Sequence, residues 1–119
     1  GPNFREHHAL FDEHAGQLFS AIDPLAERVR KLGGATIISI GDAARRQRLR
    51  DCDSPSLSSQ QMDSVLAEDN QQLLCFLREA HALCEGHGDA GSVGLLEMLI
   101  DQAEQRIWHL SESGRAAPA

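Results

Sequence analysis

Residues 4–34 read FREHHALFDEHAGQLFSAIDPLAERVRKLGG, and this stretch decides the fold. Apolar residues recur through it at helical spacing, which predicts one long amphipathic helix. Asn3 is the expected N-cap, and Gly33-Gly34 is a natural stop. The side expected to face a core consists of Phe4, Phe11, Leu18, Ile22, Leu25, Val29 and Leu32.

A second stripe on the same predicted helix consists of side chains that can bind a metal. His8 and Asp12 are four residues apart, as are Asp23 and Glu27, so each pair lies on one helix face. At about 100° per residue, all four fall within a sector of roughly 100°. Asp12 and Asp23 are separated by about 16 Å of helical rise, which no single ion spans. One chain therefore carries two half-sites.

An antiparallel copy of this helix would complete both sites. A two-fold axis near Gln17 or Leu18 would bring the first half-site of each copy opposite the second half-site of the other. Ala15 and Gly16 lie on the same sector and would let the two backbones approach closely. Carboxylates with imidazole suit iron, manganese or zinc, whereas a set without thiolates argues against a structural zinc site. The alternative is an ordinary solvated polar face.

Three more helices are predicted downstream, so the chain is expected to be all-α. A short helix capped by Asp42 is expected over 42–49, and a long helix over 58–85. A further long helix is expected to start at a cap formed by Asp89 or Ser92. We place one helical domain at residues 1–112 and a disordered tail at residues 113–119. Helices of this length usually pack as a bundle.

Composition and motifs exclude several classes of function. The chain has 119 residues and a net charge of -7, which argues against nucleic-acid binding by bulk electrostatics. It contains no apolar run long enough to cross a membrane and no signal peptide pattern. Phosphate-binding glycine loops, GxSxG, HExxH and CxxC are absent, and no glutamate precedes a histidine by three positions. Cys52, Cys75 and Cys84 fit free thiols in a reducing cytoplasm, with Cys75 expected in the core.

Other polar groups leave alternatives open. Arg45, Arg46, Arg48 and Arg50 form the only basic cluster, which suits an anion or phosphate contact, or else salt bridging to an acidic neighbour in an oligomer or plain solvation. His7 and His14 lie at the edge of the apolar stripe and are expected to be packed or hydrogen-bonded, not to be ligands. The acids of the last helix are candidates for an interior surface or for an ordinary solvent face: Glu97, Asp101 and Glu104.

The stretch GPNFREHHALFDEH, followed by IDPLAERVRKLGG, resembles the signature of the Dps family of mini-ferritins. FLREAHAL and RIWHL resemble the later helices of that family more loosely. The resemblance implies a ferritin-like four-helix bundle, of which this stretch would supply three long helices and the short connecting one, without the first helix. It also assigns His8, Asp12, Asp23 and Glu27 as ligands of a ferroxidase centre.

The resemblance further implies a bacterial, cytoplasmic homo-oligomer in which dimers with shared iron sites build a dodecameric cage. Fe(II) would be oxidised there, preferably by hydrogen peroxide, and stored as ferric mineral, with zinc or manganese as surrogates. Nucleoid association occurs in the family. In some members a lysine-rich N-terminal tail binds DNA, and this stretch contains no counterpart of that tail. DNA binding therefore gains no support from the resemblance. The alternative is a non-catalytic helical oligomerisation module, because a metal-binding histidine of the family's first helix has no counterpart here.

Overall fold

A computed structural model of the chain describes residues 4–116, and within them all regular structure is α-helical. Helix α1 spans Phe4–Lys31, α2 spans Ile40–Arg46, α3 spans Ser59–Gly86 and α4 spans Ala90–Ala116. The prediction of three long helices and one short one is confirmed. The expected N-cap Asn3 lies outside the described residues, as do residues 117–119 of the expected tail, while α4 continues through 113–116.

The ends of the long helices follow local chemistry. After α1, Gly33 adopts a positive φ of 87°, and the Gly34 N–H donates to the carbonyl of Val29 at 2.9 Å. A left-handed glycine of this kind closes a helix by capping its last carbonyls. At the start of α3, Ser58 and Gln61 form a reciprocal capping box that satisfies two otherwise unpaired N–H groups.

The cap of the short helix differs from the prediction. Ser39, not Asp42, is the N-cap, and its Oγ accepts a hydrogen bond from the Asp42 N–H at 3.0 Å. Asp42 lies in the first turn instead, where its negative charge interacts favourably with the positive end of the helix dipole. Helix α4 begins after Asp89, whose Oδ1 accepts from the Ser92 N–H at 3.2 Å, so Asp89 is the cap among the two candidates.

The core lies between α3 and α4, and α1 packs mainly on α4. The turn between α3 and α4 contains Gly88 at a φ of 68° and is short enough to make the two helices antiparallel neighbours. Ala21 and Leu25 of α1 pack against this core. The buried members of the core cluster are Leu74, Leu77, Leu96, Leu99 and Ala103.

Several side chains expected in the core are exposed. Phe4 and Ile22 of α1, and Leu32 directly after it, face solvent in the single chain, because the apolar stripe is wider than the area that α4 covers. Cys75 was expected in the core but lies on the exposed side of α3. Cys84 lies near the end of α3 and is half-buried.

Candidate metal centre

The first predicted half-site consists of two neighbouring donors on α1. His8 Nε2 lies 3.3 Å from Asp12 Oδ2, and the two side chains are 66% and 71% exposed. The separation of one helical turn brings these atoms together without any long-range contact. An imidazole and a carboxylate at this distance offer two adjacent donors to one ion, and both are open to solvent.

The second predicted half-site lies toward the other end of the same helix. Asp23 and Glu27 are both exposed, one turn apart, and belong to the stripe that carries His8 and Asp12. The structure does not bring the two half-sites together within a chain, because α1 remains one helix from Phe4 to Lys31. Among residues 4–116, no three His, Cys, Asp or Glu side chains converge on a common metal position.

The donor types and their exposure fit iron as a substrate. Three carboxylates and one imidazole are hard or borderline ligands, which suit ferrous iron and stabilise its ferric product. A stripe that faces away from the bundle can be completed by a second surface. Each half-site by itself offers too few ligands to hold an ion firmly.

The opposite side of α1 is attached to the bundle by polar contacts. His7 is buried, and its Nε2 donates to Asp63 Oδ2 at 3.0 Å, since a carboxylate only accepts. Ser113 Oγ lies 3.1 Å from the same nitrogen. His14 is also buried, stacked with the ring of His109. The prediction that His7 and His14 are packed or hydrogen-bonded is therefore confirmed.

Two further contacts hold the middle and the end of α1. Arg106 of α4 is only 3% exposed and donates to Gln17 Oε1 at 2.7 Å. Arg28 donates to Ser92 Oγ at 2.9 Å and to the Asp89 carboxylate, at the start of α4. Hydrogen bonds from Ser92 keep the pKa of Asp89 below its ordinary value, and Arg28 adds to this.

The sequence interpretation missed Arg106 and Asp63. The signal was present, because both are charged residues at buried positions of helical stripes. Arg106 falls between Ala103 and Leu110 on the buried side of α4. What the sequence could not supply was their partners, which lie on other helices.

Burial changes the acid–base chemistry of this side of α1. The pKa of His14 is lowered, first by burial, then by the charges of Arg106 and His109, while Glu13 opposes the change. The pKa of Arg106 is lowered by burial as well, although a guanidinium stays charged in proteins. The His14 Nε2 has no hydrogen-bond partner among the described residues.

Two arginines of the basic cluster pair with a carboxylate of their own helix. Arg45 and Arg46 pair with Asp42 at 3.5 Å and 3.0 Å, and Arg46 is the main cause of the lowered pKa of that carboxyl. Arg48 stacks over the Phe76 ring, with Cζ 3.6 Å from its centre. Salt bridging is therefore observed within α2 for Arg45 and Arg46.

The acids of α4 are exposed, and two of them pair across to α3. Glu97 Oε2 lies 3.3 Å from His81 Nε2, and Glu104 Oε2 accepts from Arg78 at 3.1 Å. These contacts join the two helices on their solvent side.

These features place the chain among helical-bundle proteins with candidate metal ligands, three carboxylates and a histidine, on one exposed helix face. Residues 1–114 match the ferritin-like domain, and the chain belongs to that family. An uncharacterised low temperature-induced protein of Nostoc sp. is 35% identical over 112 residues, covering 92% of this chain and 62% of that protein. A DNA protection during starvation protein of Brevibacillus brevis is 26% identical, covering 92% and 73% respectively.

Solved structures share the architecture closely. Dps from Thermosynechococcus elongatus superposes with a TM-score of 0.90 at 26% identity, covering 100% of this chain and 74% of that one. DpsC from Streptomyces coelicolor gives a TM-score of 0.92 at 28% identity, covering 100% and 70%. The predicted ferritin-like fold and the resemblance to Dps proteins are confirmed. The chain spans 62% of the length of the Nostoc relative.

No helix within residues 4–116 combines the length and the apolar character needed to cross a membrane.

Proposed function

We propose that this chain is a subunit of an iron-storing and iron-detoxifying protein. Ferrous iron binds between two copies, is oxidised there and is retained as ferric mineral. The observation that supports this most directly is the exposed stripe of α1. It presents His8 and Asp12 at one end and Asp23 and Glu27 at the other, in a ferritin-like domain.

Two copies of α1 in antiparallel contact turn two incomplete donor sets into two complete ones. His8 and Asp12 of one copy would face the second half-site of the other, so each site gains three carboxylates and one imidazole. An isologous contact repeats this arrangement on both sides of the two-fold axis. Further assembly of such dimers into a dodecameric cage, in the bacterial cytoplasm, is the arrangement that the Dps resemblance predicts.

The proposed reaction removes ferrous iron and peroxide together. Each of two ferrous ions gives one electron to a single hydrogen peroxide molecule. The O–O bond breaks, and two protons are taken up to give two water molecules. Pairing the electrons in this way avoids release of a hydroxyl radical. The carboxylates hold the ferric product more strongly than the ferrous substrate, which favours oxidation. Zinc and manganese as surrogates stay predictions.

Ferrous titration with peroxide tests the proposal. We expect Asp23→Ala combined with Glu27→Ala to slow the rise of ferric absorbance by at least about tenfold, because an ion at each site loses two of its ligands. Glu13→Ala is the matched control, since Glu13 is an exposed acid on another side of α1. It should keep the original rate.

Equal rates in all three proteins would contradict the ligand assignment. An original chain that assembles but oxidises no iron would instead favour the alternative, a non-catalytic helical oligomerisation module. DNA is not part of the proposal, because a net charge of -7 gives no electrostatic support for binding it.

A further inference from the structure

The contacts that attach α1 to the bundle lie on one side of that helix and are spread along its length. They are made by His7 near the start, Gln17 in the middle and Arg28 near the end. The intervals of ten and eleven residues correspond to about 15 and 16 Å. We call these three residues the polar anchors of α1.

The polar anchors face away from the metal donors. At about 100° per residue, the anchors fall within a sector of roughly 80°, and the four donors fall within a sector of roughly 100° on nearly the opposite side. Two of the anchors are sequence neighbours of donors, since His7 precedes His8 and Arg28 follows Glu27. Any rotation of α1 about its axis therefore moves the anchors and the donors together.

We propose that the polar anchors set the rotation of α1, and that Gln17 with Arg106 is the central positioning pair of the iron site. Apolar contacts such as those of Ala21 and Leu25 hold α1 against the core, but they have no preferred direction. A hydrogen bond to a buried guanidinium fixes a direction. Arg106 also donates to Asn70 Oδ1 at 2.7 Å, so it ties α1 to α3 as well as to α4.

Small rotations matter at a site shared between two helices. Helical side chains end about 5–6 Å from the axis, so a rotation of 10° moves a donor atom by about 1 Å. An error of this size is large compared with the tolerance of a metal site, and it counts twice when both copies of α1 rotate. Along the length of α1, Gln17 is level with the proposed two-fold axis, about midway between the two donor pairs. A rotation of the helix at this point moves both donor pairs equally.

Replacing the central anchor tests the proposal, with the assembled protein and Co²⁺ alone as the probe. Gln17→Met removes the acceptor at similar size, and we expect Co²⁺ binding, followed by visible absorption, to weaken about tenfold. Gln17→Glu restores an acceptor oxygen for Arg106 and should return affinity to within about twofold of the original. Gln72→Met, on the exposed side of α3, is the matched control and should change nothing.

The Co²⁺ signal of this inference rests on the proposed function. A second readout is therefore chosen that does not depend on metal. Nitroxide labels at Cys75 and at Ser20→Cys, with Cys52→Ser and Cys84→Ala, report the position of α1 against α3. Gln17→Met should broaden or shift the distance distribution measured by pulsed electron resonance, and Gln17→Glu should restore it. Should Gln17→Met not fold, Gln17→Ala takes its place.

The outcomes separate the two proposals. Unchanged distances together with unchanged Co²⁺ affinity in Gln17→Met would overturn the proposal that Gln17 positions α1. A shifted distance in a protein that never binds Co²⁺ would support the anchor and count against the iron site. A general loss of stability would lower the amount of bound Co²⁺ without moving its affinity, and that result would also overturn a positioning role.

Discussion

At the scale of single residues, the buried guanidinium of Arg106 is bound by amide oxygens. Arg106 forms no ion pair with a carboxylate among residues 4–116, and its acceptors are the amide oxygens of Gln17 and Asn70. Buried charges are costly unless they are hydrogen-bonded. The two short hydrogen bonds offset part of that cost, and each of them also fixes the position of a helix.

His14 gives this interior a dependence on pH. Its folded-state pKa is lowered by burial and by Arg106 and His109. Above the unfolded value of about 6.5 the imidazole is neutral in both states and does not affect stability. Below it the unfolded chain takes up a proton that the folded chain resists, so stability falls as the solution becomes more acidic.

Urea unfolding at pH 7.5 and pH 5.5 measures this effect. The free energy of unfolding should fall with acidification, and the fall should be smaller in His14→Phe, which keeps a ring but cannot be protonated. His87→Gln is the control, because His87 is exposed. An identical fall in the original protein and in His14→Phe would show that His14 does not contribute.

At the scale of helices, α1 and α4 meet at a close contact near Gly91. A Cβ atom added there would lie 2.7 Å from Cζ of Arg28, which pairs with Asp89 and Ser92. Glycine at this position therefore makes room for the guanidinium. Gly94, one turn later, has no heavy atom within 4 Å of an added Cβ.

The two glycines should respond differently to the same substitution. Gly94→Ala should raise the free energy of unfolding by about 0.5–1 kcal/mol, because alanine is the better helix former. Gly91→Ala should raise the free energy of unfolding by less than this, or lower it, because the Arg28 guanidinium must move away from Asp89 and Ser92. Thermal and urea unfolding of both variants provide the comparison, and an equal gain in both would contradict the close contact.

At the scale of the whole molecule, the single chain leaves apolar surface exposed beside its metal donors. Phe19 is 75% exposed and falls within the sector of the donor stripe, between the two half-sites. Contact with a second copy of α1 at this sector, as proposed for completing the sites, would remove the Phe19 side chain from water, which favours association.

Phe19→Lys should therefore separate the copies. We expect a smaller species by size-exclusion chromatography with light scattering, and iron oxidation reduced by at least about tenfold, because the charge cannot be buried at the contact without a partner. Leu83→Lys is the control, because Leu83 is an exposed apolar residue of α3 away from the stripe. An unchanged mass for Phe19→Lys would contradict this interface.

The helices and the spacing of the two candidate donor pairs follow from the sequence alone. Both depend on spacing along one helix, as in the predicted range of 58–85 for a helix found at Ser59–Gly86, and in the turn that separates His8 from Asp12. Such features follow from 3.6 residues per turn and from capping groups a few residues away. Even so, Ser39 replaced Asp42 as the cap of α2, because neighbouring polar residues compete for one position.

Only the tertiary structure decided which sides of these helices are covered and which residues hold α1 in place. Cys75, expected in the core, is exposed, and Arg106 is buried against Gln17, 89 residues away in the sequence. Helical periodicity reveals that a side is apolar, but not how much of it a neighbour will cover. Contacts between distant residues arise only once the helices pack, and those contacts fix the rotation at which α1 presents its donors.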